Sequence, residues 1–320
     1  MINPWYWAID MKSVLRIQDT VYRFFDSDIW YSFKKSKVTI AAACVTVIMI
    51  LSAFTAPWIA PHNTFDPATL DLMDAFTPPV WYEDGTPKFL LGTDDQGRDI
   101  FSTILYGSRI SLFVAFASML LAMILGVTLG LVSGYLGGAI ESIIMRIADV
   151  QISFPAILIV LLISGLARSV LPNVRHEEMA VWVLIFAIGI SNWVHFARTV
   201  RGSTMVEKNM EYVQSARVIG RRRATIMFRH ILPNVMGPVL VIGTIGLAVA
   251  VLTEATISFL GVGVPPTEPS LGTLIRIGQS FLFAGEWWIV IFPGVALVIL
   301  VLAVNLLGDW MRDALNPKLR

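Results

Sequence analysis

The chain has 320 residues, 56% of them hydrophobic and only 15% charged, with a formal net charge of +1 at pH 7. So little charge cannot cover a soluble globule of this size, and so balanced a total offers nothing to a nucleic acid. The apolar surface must meet lipid, in keeping with a mean hydropathy of +0.70.

Residues 1–37 form a polar and aromatic leader, in which Trp5, Tyr6, Trp7, Trp30 and Tyr31 stand among basic residues. Such a segment suits an amphipathic stretch at the membrane surface or a poorly ordered tail. Asp10, Asp19, Asp26 and Asp28 precede the first apolar run, so the leader does not read as a signal peptide, and the first span is expected to remain in the protein.

A hydrocarbon core of about 30 Å takes about 20 apolar residues of helix. Six stretches qualify, at 38–59, 109–134, 145–167, 179–197, 235–260 and 288–308. Basic residues gather in the leader, in 198–234 and in the tail 311–320. The 61–106 stretch instead holds only Lys88 and Arg98 against Asp66, Asp71, Asp74, Glu83, Asp84, Asp94, Asp95 and Asp99. Because cytoplasmic loops accumulate Lys and Arg, 60–108 is expected outside and both termini in the cytoplasm. The reading is an all-α polytopic membrane protein of six transmembrane helices, with its core in 109–310.

Within these spans, the lone cysteine, Cys44, allows no intrachain disulfide and is expected to be a small buried residue. Gly126, Gly130 and Gly134 repeat every four residues, which predicts one helix face pressed against a neighbour. Arg146 and Asp149, three apart, are expected to pair on one face. Asp94 and Asp95, just before the second span, are expected to cap it, or with Arg98 to meet an external protein. Glu254 lies inside the fifth span, where it lines a passage or neutralises Arg109 or Arg276. Pro265, Pro266 and Pro269 stiffen an external turn between Gly261 and Gly272. Ser191 and His195, one turn apart, lack an orienting third group and an oxyanion site, so no hydrolase is implied. The four histidines have no metal-ligand spacing.

The 198–234 loop, RTVRGSTMVEKNMEYVQSARVIGRRRATIMFRHILPN, is too long for a simple connector. Glu207 to Val218 predicts a short helix across the cytoplasmic mouth, with Gly220 as its stop. A second turn, Ala224 to Ile231, leads into Pro233.

This loop resembles the cytoplasmic loop shared by permeases of binding-protein-dependent ATP-binding-cassette importers, at Gln214, Ser215, Ala216, Gly220, Leu232 and Pro233. Gln214 stands for the family's usual Glu, Ser215 for Ala, and His230 for Ile. A closer resemblance, to the second permease of dipeptide, oligopeptide and nickel importers, is carried by five ordered blocks. They are LLGTDDQGRDIFSTILYGSRISL at 90–112, SGYLGGAIESIIMRIADVQISFP at 133–155, EYVQSARVIG at 211–220, RHILPN at 229–234 and TEATISFLGVGVPPTEPSLGTLI at 253–275.

The resemblance implies a type I permease fold in a bacterial inner membrane, with 205–234 coupling the chain to ATPase subunits through Glu211, Gln214, Ser215, Ala216, Arg217, Gly220 and Pro233. It implies as partners a homologous second permease, two ATP-binding-cassette subunits and an extracytoplasmic solute-binding protein, the last contacted near Asp94, Arg98, Pro265 and Pro266. Glu254 would belong to the path or gate. The chain has no GxxxxGK[ST] loop, so ATP and Mg²⁺ are expected in the partners and no cofactor in this chain. The alternative is a secondary transporter or channel subunit not driven by ATP, of which the first would place paired ionisable groups near the midplane.

The assigned topology is testable in a Cys44→Ala background. The variant Asp84→Cys is expected to react with an impermeant thiol reagent once the outer barrier of whole cells is opened. Reaction only after rupture of the inner membrane would reverse the orientation.

Overall fold

The computed structural model describes residues 28–64, 70–170 and 173–314, and among these the regular structure is helical apart from one isolated bridge, Thr93 to Asp99. In chain order, α1 is Asp28–Lys35, α2 Lys37–Phe54, α3 Ile100–Leu136, α4 Gly138–Ile152, α5 Ala156–Val170, α6 Asn173–Glu207, α7 Glu211–Val218, α8 Leu232–Phe259, α9 Leu271–Gln279 and α10 Trp288–Ala314. Five helical stretches are long and apolar enough to cross a membrane, and α4 with α5 makes a sixth if the bent pair is one span.

The predicted spans are present, but their edges move. The first helix ends at Phe54, where Thr55 leaves helical geometry before a single turn, Ala56–Ile59, that carries Pro57. The second begins nine residues earlier than its hydropathy, because α3 extends beyond the lipid slab. At 1.5 Å per residue α3 is about 55 Å long against a core of about 30 Å. Likewise α6 continues to Glu207 and α10 to Ala314.

The third span is the main departure, because α4 and α5 meet at 91° rather than forming one rod over 145–167. Pro155 has no N–H to give and disfavours helical geometry at Phe154. Gln151 holds the corner, donating to the carbonyls of Ile190 (2.6 Å) and Ser191 (3.1 Å) and accepting from Trp193 Nε1 (2.8 Å).

The glycine face of α3 does meet a neighbour. A Cβ at Gly126 would stand 2.4 Å from the Trp193 carbonyl oxygen, and one at Gly130 would stand 2.5 Å from that of Ala197. A Cβ at Gly134 would stand 2.8 Å from that of Arg201. These distances are shorter than van der Waals contact, so α3 and α6 touch backbone to backbone along three turns. Around this pair α8, α10 and α2 assemble a buried core that includes Leu131, Leu184, Ile188, Phe196, Ile231, Val251 and Leu300.

Side-chain contacts tie the helices together at both ends of the bundle. Phe33 of α1 packs edge-on against Trp310 of α10 at 5.1 Å, which brings the described ends of the chain to one side. On that basic side Asp149 pairs with Arg198 (2.5 Å) rather than with Arg146, and Glu141 pairs with Arg201, so both bridges join α4 to α6. On the acidic side Arg168, at the end of α5, donates to the Gly261 carbonyl just past α8 (2.7 Å). Cys44 is exposed on the outer face of α2 rather than buried. Residues 1–27 of the leader and 315–320 of the tail lie outside the described residues.

The contact predicts a strong position dependence. Gly130→Leu is expected to abolish assembled protein, since its side chain would fall on the Ala197 backbone. Leu131→Ile, at a buried position, should cost under about 1.5 kcal/mol and leave assembly intact. Detergent-solubilised yield and thermal unfolding of the two variants measure the difference.

Candidate functional site

The basic end holds the predicted helix as α7, lying between the ends of α6 and α8. Val213 and Ala216 are buried and Glu211, Gln214, Ser215 and Arg217 face outward, as a helical period requires. The helix ends in a Schellman motif: Gly220 has φ 78°, its N–H donates to the Arg217 carbonyl (2.9 Å), and that of Arg221 donates to Ala216 (3.1 Å). Nothing stands within 4 Å of where a Gly220 Cβ would lie, so the demand for glycine there is one of backbone geometry alone.

Side chains fix α7 to the bundle. Lys208 donates to the Gly134 carbonyl (2.9 Å), and the Arg217 guanidinium covers the Tyr135 ring at 5.3 Å. Tyr212 donates to Glu207 and accepts from Asn234 Nδ2 (2.9 Å), joining α6, α7 and α8. Burial, together with the Glu207 carboxylate, raises the Tyr212 pKa, so the hydroxyl keeps its proton as the donor this link needs. Outward from this frame project Val218 and Ile219, 89% and 74% exposed, beside exposed Arg221, Arg222 and Arg223. The chain then passes through a π-turn, Ile226–Ile231, and enters α8 at Leu232–Pro233.

At the other end, three of the four residues named for external contact, Asp94, Arg98 and Pro266, are tied to one another. Asp94 and Arg98 are buried, joined Oδ2 to Nε at 2.6 Å, and Arg98 also donates to the Pro266 carbonyl (3.3 Å). Of the set only Pro266 is fully exposed, with Pro265 half-buried. Asp94 and Asp95 do not cap α3. Asp99 does, accepting from Ser102 N (2.9 Å), while Asp94 Oδ1 turns the loop by accepting from Gln96 N and Arg98 N. Burial and neighbouring Asp94 raise the Asp95 pKa, partly offset by Arg98.

Glu254 is fully buried and forms no salt bridge with Arg109 or Arg276 among the described residues. Its Oε1 accepts from Ser258 (2.7 Å), its Oε2 has no hydrogen-bond partner among the described residues, and the hydroxyls of Ser111 and Ser270 stand near the carboxyl. Each serine also accepts a backbone N–H: Ser258 from Val264, Ser111 from Leu271 and Ser270 from Thr273. The serines therefore bind the 261–279 segment to α3 and α8.

A cavity of about 550 Å³ instead lies between α3, α4, α6 and α8. Asn192, His195, Thr199 and Arg198 supply its polar side, and none of them was singled out from the sequence as a solute-contact residue. The available signal was a polar stripe at i, i+3 and i+7 within an apolar helix.

A family profile described as "Binding-protein-dependent transport system inner membrane component" matches residues 126–320, and one described as "N-terminal TM domain of oligopeptide transport permease C" matches 24–79. The dipeptide transport system permease protein DppC of Haemophilus influenzae is 39% identical, over 92% of this chain and 95% of its own. The oligopeptide transport system permease protein OppC of Bacillus subtilis is 36% identical over 92% and 90%. The glutathione transport system permease protein GsiD of Pectobacterium atrosepticum is 38% identical over 92% and 91%. Among solved structures, the inward-facing MetNI methionine ABC transporter contains a chain that aligns with a TM-score of 0.52 at 19% identity. That alignment covers 67% of this chain and 96% of that one, and shows the fold. This chain belongs to the family of inner membrane components of binding-protein-dependent transport systems.

The Asp94–Arg98 pair carries a stability prediction. Asp94→Ala would leave the Arg98 guanidinium buried without its counter-charge, a loss of about 3–5 kcal/mol. Lys88→Ala, whose partner Asp74 is also partly exposed, should cost under about 1 kcal/mol. Thermal unfolding of the purified protein compares the two.

Proposed function

We propose that this member of the family imports di- or oligopeptides or a similar solute, forming the path with a homologous second permease. Two ATPase subunits power the cycle and an extracytoplasmic binding protein delivers the solute. The observation that carries this reading is α7 with its Gly220 stop, a short helix tied by Tyr212, Lys208 and Arg217 to three spans while presenting Val218 and Ile219 outward.

An exposed apolar pair rimmed by arginines is a docking knob for a protein cleft, and its rigid ties let movement there move α3, α6 and α8 together. ATP and Mg²⁺ then belong to the docked subunits, which carry out hydrolysis, while this chain moves solute and catalyses no covalent step. Relatives named for dipeptide, oligopeptide and glutathione transport support a peptide-like solute. Ser215 and Gln214 lie on the outward face of α7 where that cleft would close, and Glu211 and Arg217 flank them.

The complex reconstituted in liposomes tests the reading. Uptake of labelled peptide should require ATP and receptor and should survive dissipation of ion gradients; uptake driven by a gradient without ATP would overturn it. Gly220→Val strains the stop by about 1 kcal/mol or more. It is expected to retain its ATPase subunits while receptor-stimulated hydrolysis and uptake fall several-fold. Normal stimulation would remove α7 from the coupling role.

A further inference from the structure

Polar side chains within a membrane helix are costly unless the protein satisfies them or water reaches them. Asn192, His195 and Thr199 stand at i, i+3 and i+7 on α6, within about 60° of one another at 100° per residue. All three line the cavity of about 550 Å³. Asn192 uses its Nδ2 on the Ile188 carbonyl (2.9 Å), which leaves Oδ1 as an acceptor. The side chains of His195 and Thr199 make no hydrogen bond among the described residues, and His195 is exposed to the cavity space. The stripe is therefore an accessible polar edge, without partners for His195 and Thr199 among the described residues, on a packed helix whose opposite side lies on the α3 backbone.

Across the cavity from α6 is an apolar wall of Met119, Ile242, Ile245 and Val249, with the Met119 side chain lying over Gly246. The one charged lining residue, Arg198, is matched by Asp149 at 2.5 Å, so the chamber is close to neutral. Its volume falls in the ordinary range for small-molecule sites, roughly 300–1,000 Å³. A neutral polar edge opposite a flexible apolar wall suits a molecule with hydrogen-bonding main-chain groups on one side and a variable side chain on the other. Methionine at the wall accommodates different shapes.

We propose that this chamber is a solute station on the import path, where Asn192, His195 and Thr199 take the amide and carboxylate groups of a short peptide and the Met119–Val249 wall takes its side chain. The proposal rests on the peptide-importer reading. It assigns side-chain tolerance to the permease as well as to the receptor.

The test uses the complete complex in liposomes with labelled diglycine and dileucine supplied in parallel. If the unmodified complex imports neither, the peptide reading itself falls. If it imports both, Val249→Phe, which fills the wall, should lower dileucine relative to diglycine uptake at least about fivefold. That ratio cancels differences in the amount of assembled complex. Thr199→Val keeps the side-chain shape and removes only the hydroxyl, so it answers even if Val249→Phe fails to assemble. It should reduce uptake of both peptides several-fold by raising the concentration for half-maximal transport. An unchanged dileucine-to-diglycine ratio in Val249→Phe, or unchanged concentration dependence in Thr199→Val, would overturn the station.

Discussion

The backbone contact between α3 and α6 is the constraint on which the rest of the molecule depends. Lipid is as apolar as the side chains it would replace, so two spans gain little by exchanging lipid for each other unless their backbones approach closely. Gly126, Gly130 and Gly134 permit that approach, and the positions a Cβ would take fall on the Trp193, Ala197 and Arg201 carbonyls. Once α6 is fixed in this way, its rotation is fixed too. Phe196 and Val200 are buried among the core helices, and Asn192, His195 and Thr199 turn toward the chamber.

The same pair organises the cytoplasmic end. Gly134 gives its carbonyl to Lys208 and the next residue, Tyr135, carries Arg217, so α7 is anchored to the last turn of the glycine face itself. A load on α7 acts directly on the α3–α6 seam. At the outer end a second set of ties, through Arg98, Arg168 and the serines around Glu254, binds the 261–279 segment to α3, α5 and α8. Both ends use one device to leave a helix. Gly220 and Gly261 share a left-handed conformation and the same pair of closing hydrogen bonds, from residues 220 and 221 to Arg217 and Ala216, and from 261 and 262 to Ser258 and Ile257.

Features that rest on short sequence periods were legible before the structure. The glycine spacing, the six apolar stretches, the basic and acidic ends, and the α7–Gly220 unit all express local rules. What was not legible depends on partners distant in sequence or on directions a hydropathy window averages away. Asp149 meets Arg198, 49 residues on, instead of nearby Arg146, because α4 crosses α6 after the corner at Pro155. The corner itself was hidden, since residues on both sides of it are equally apolar. Asp99 caps α3 in place of Asp94 and Asp95 because the helix begins at Ile100, one residue after it, while Asp94 turns the loop and holds Arg98. Cys44 reads as buried only if membrane interior is equated with protein interior, and the outer face of α2 belongs to the first and not the second.

Glu254 and His195 show why polarity inside a span does not by itself reveal a path. Glu254 is the costlier group, and charge alone would nominate it first. Yet in this conformation it is not among the residues lining the chamber: its Oε1 accepts from Ser258, its Oε2 has no hydrogen-bond partner among the described residues, and the serines beside it accept backbone N–H groups of Val264, Leu271 and Thr273. His195 and Thr199 carry less charge, make no hydrogen bond among the described residues, and face open volume. What separates the two is access: Glu254 is enclosed between the segments its serines join, whereas a polar group at an open cavity wall can take a partner from what enters. By that distinction Glu254 and its serines join the outer segment to α3 and α8, and the α6 stripe is the polar surface this conformation leaves accessible.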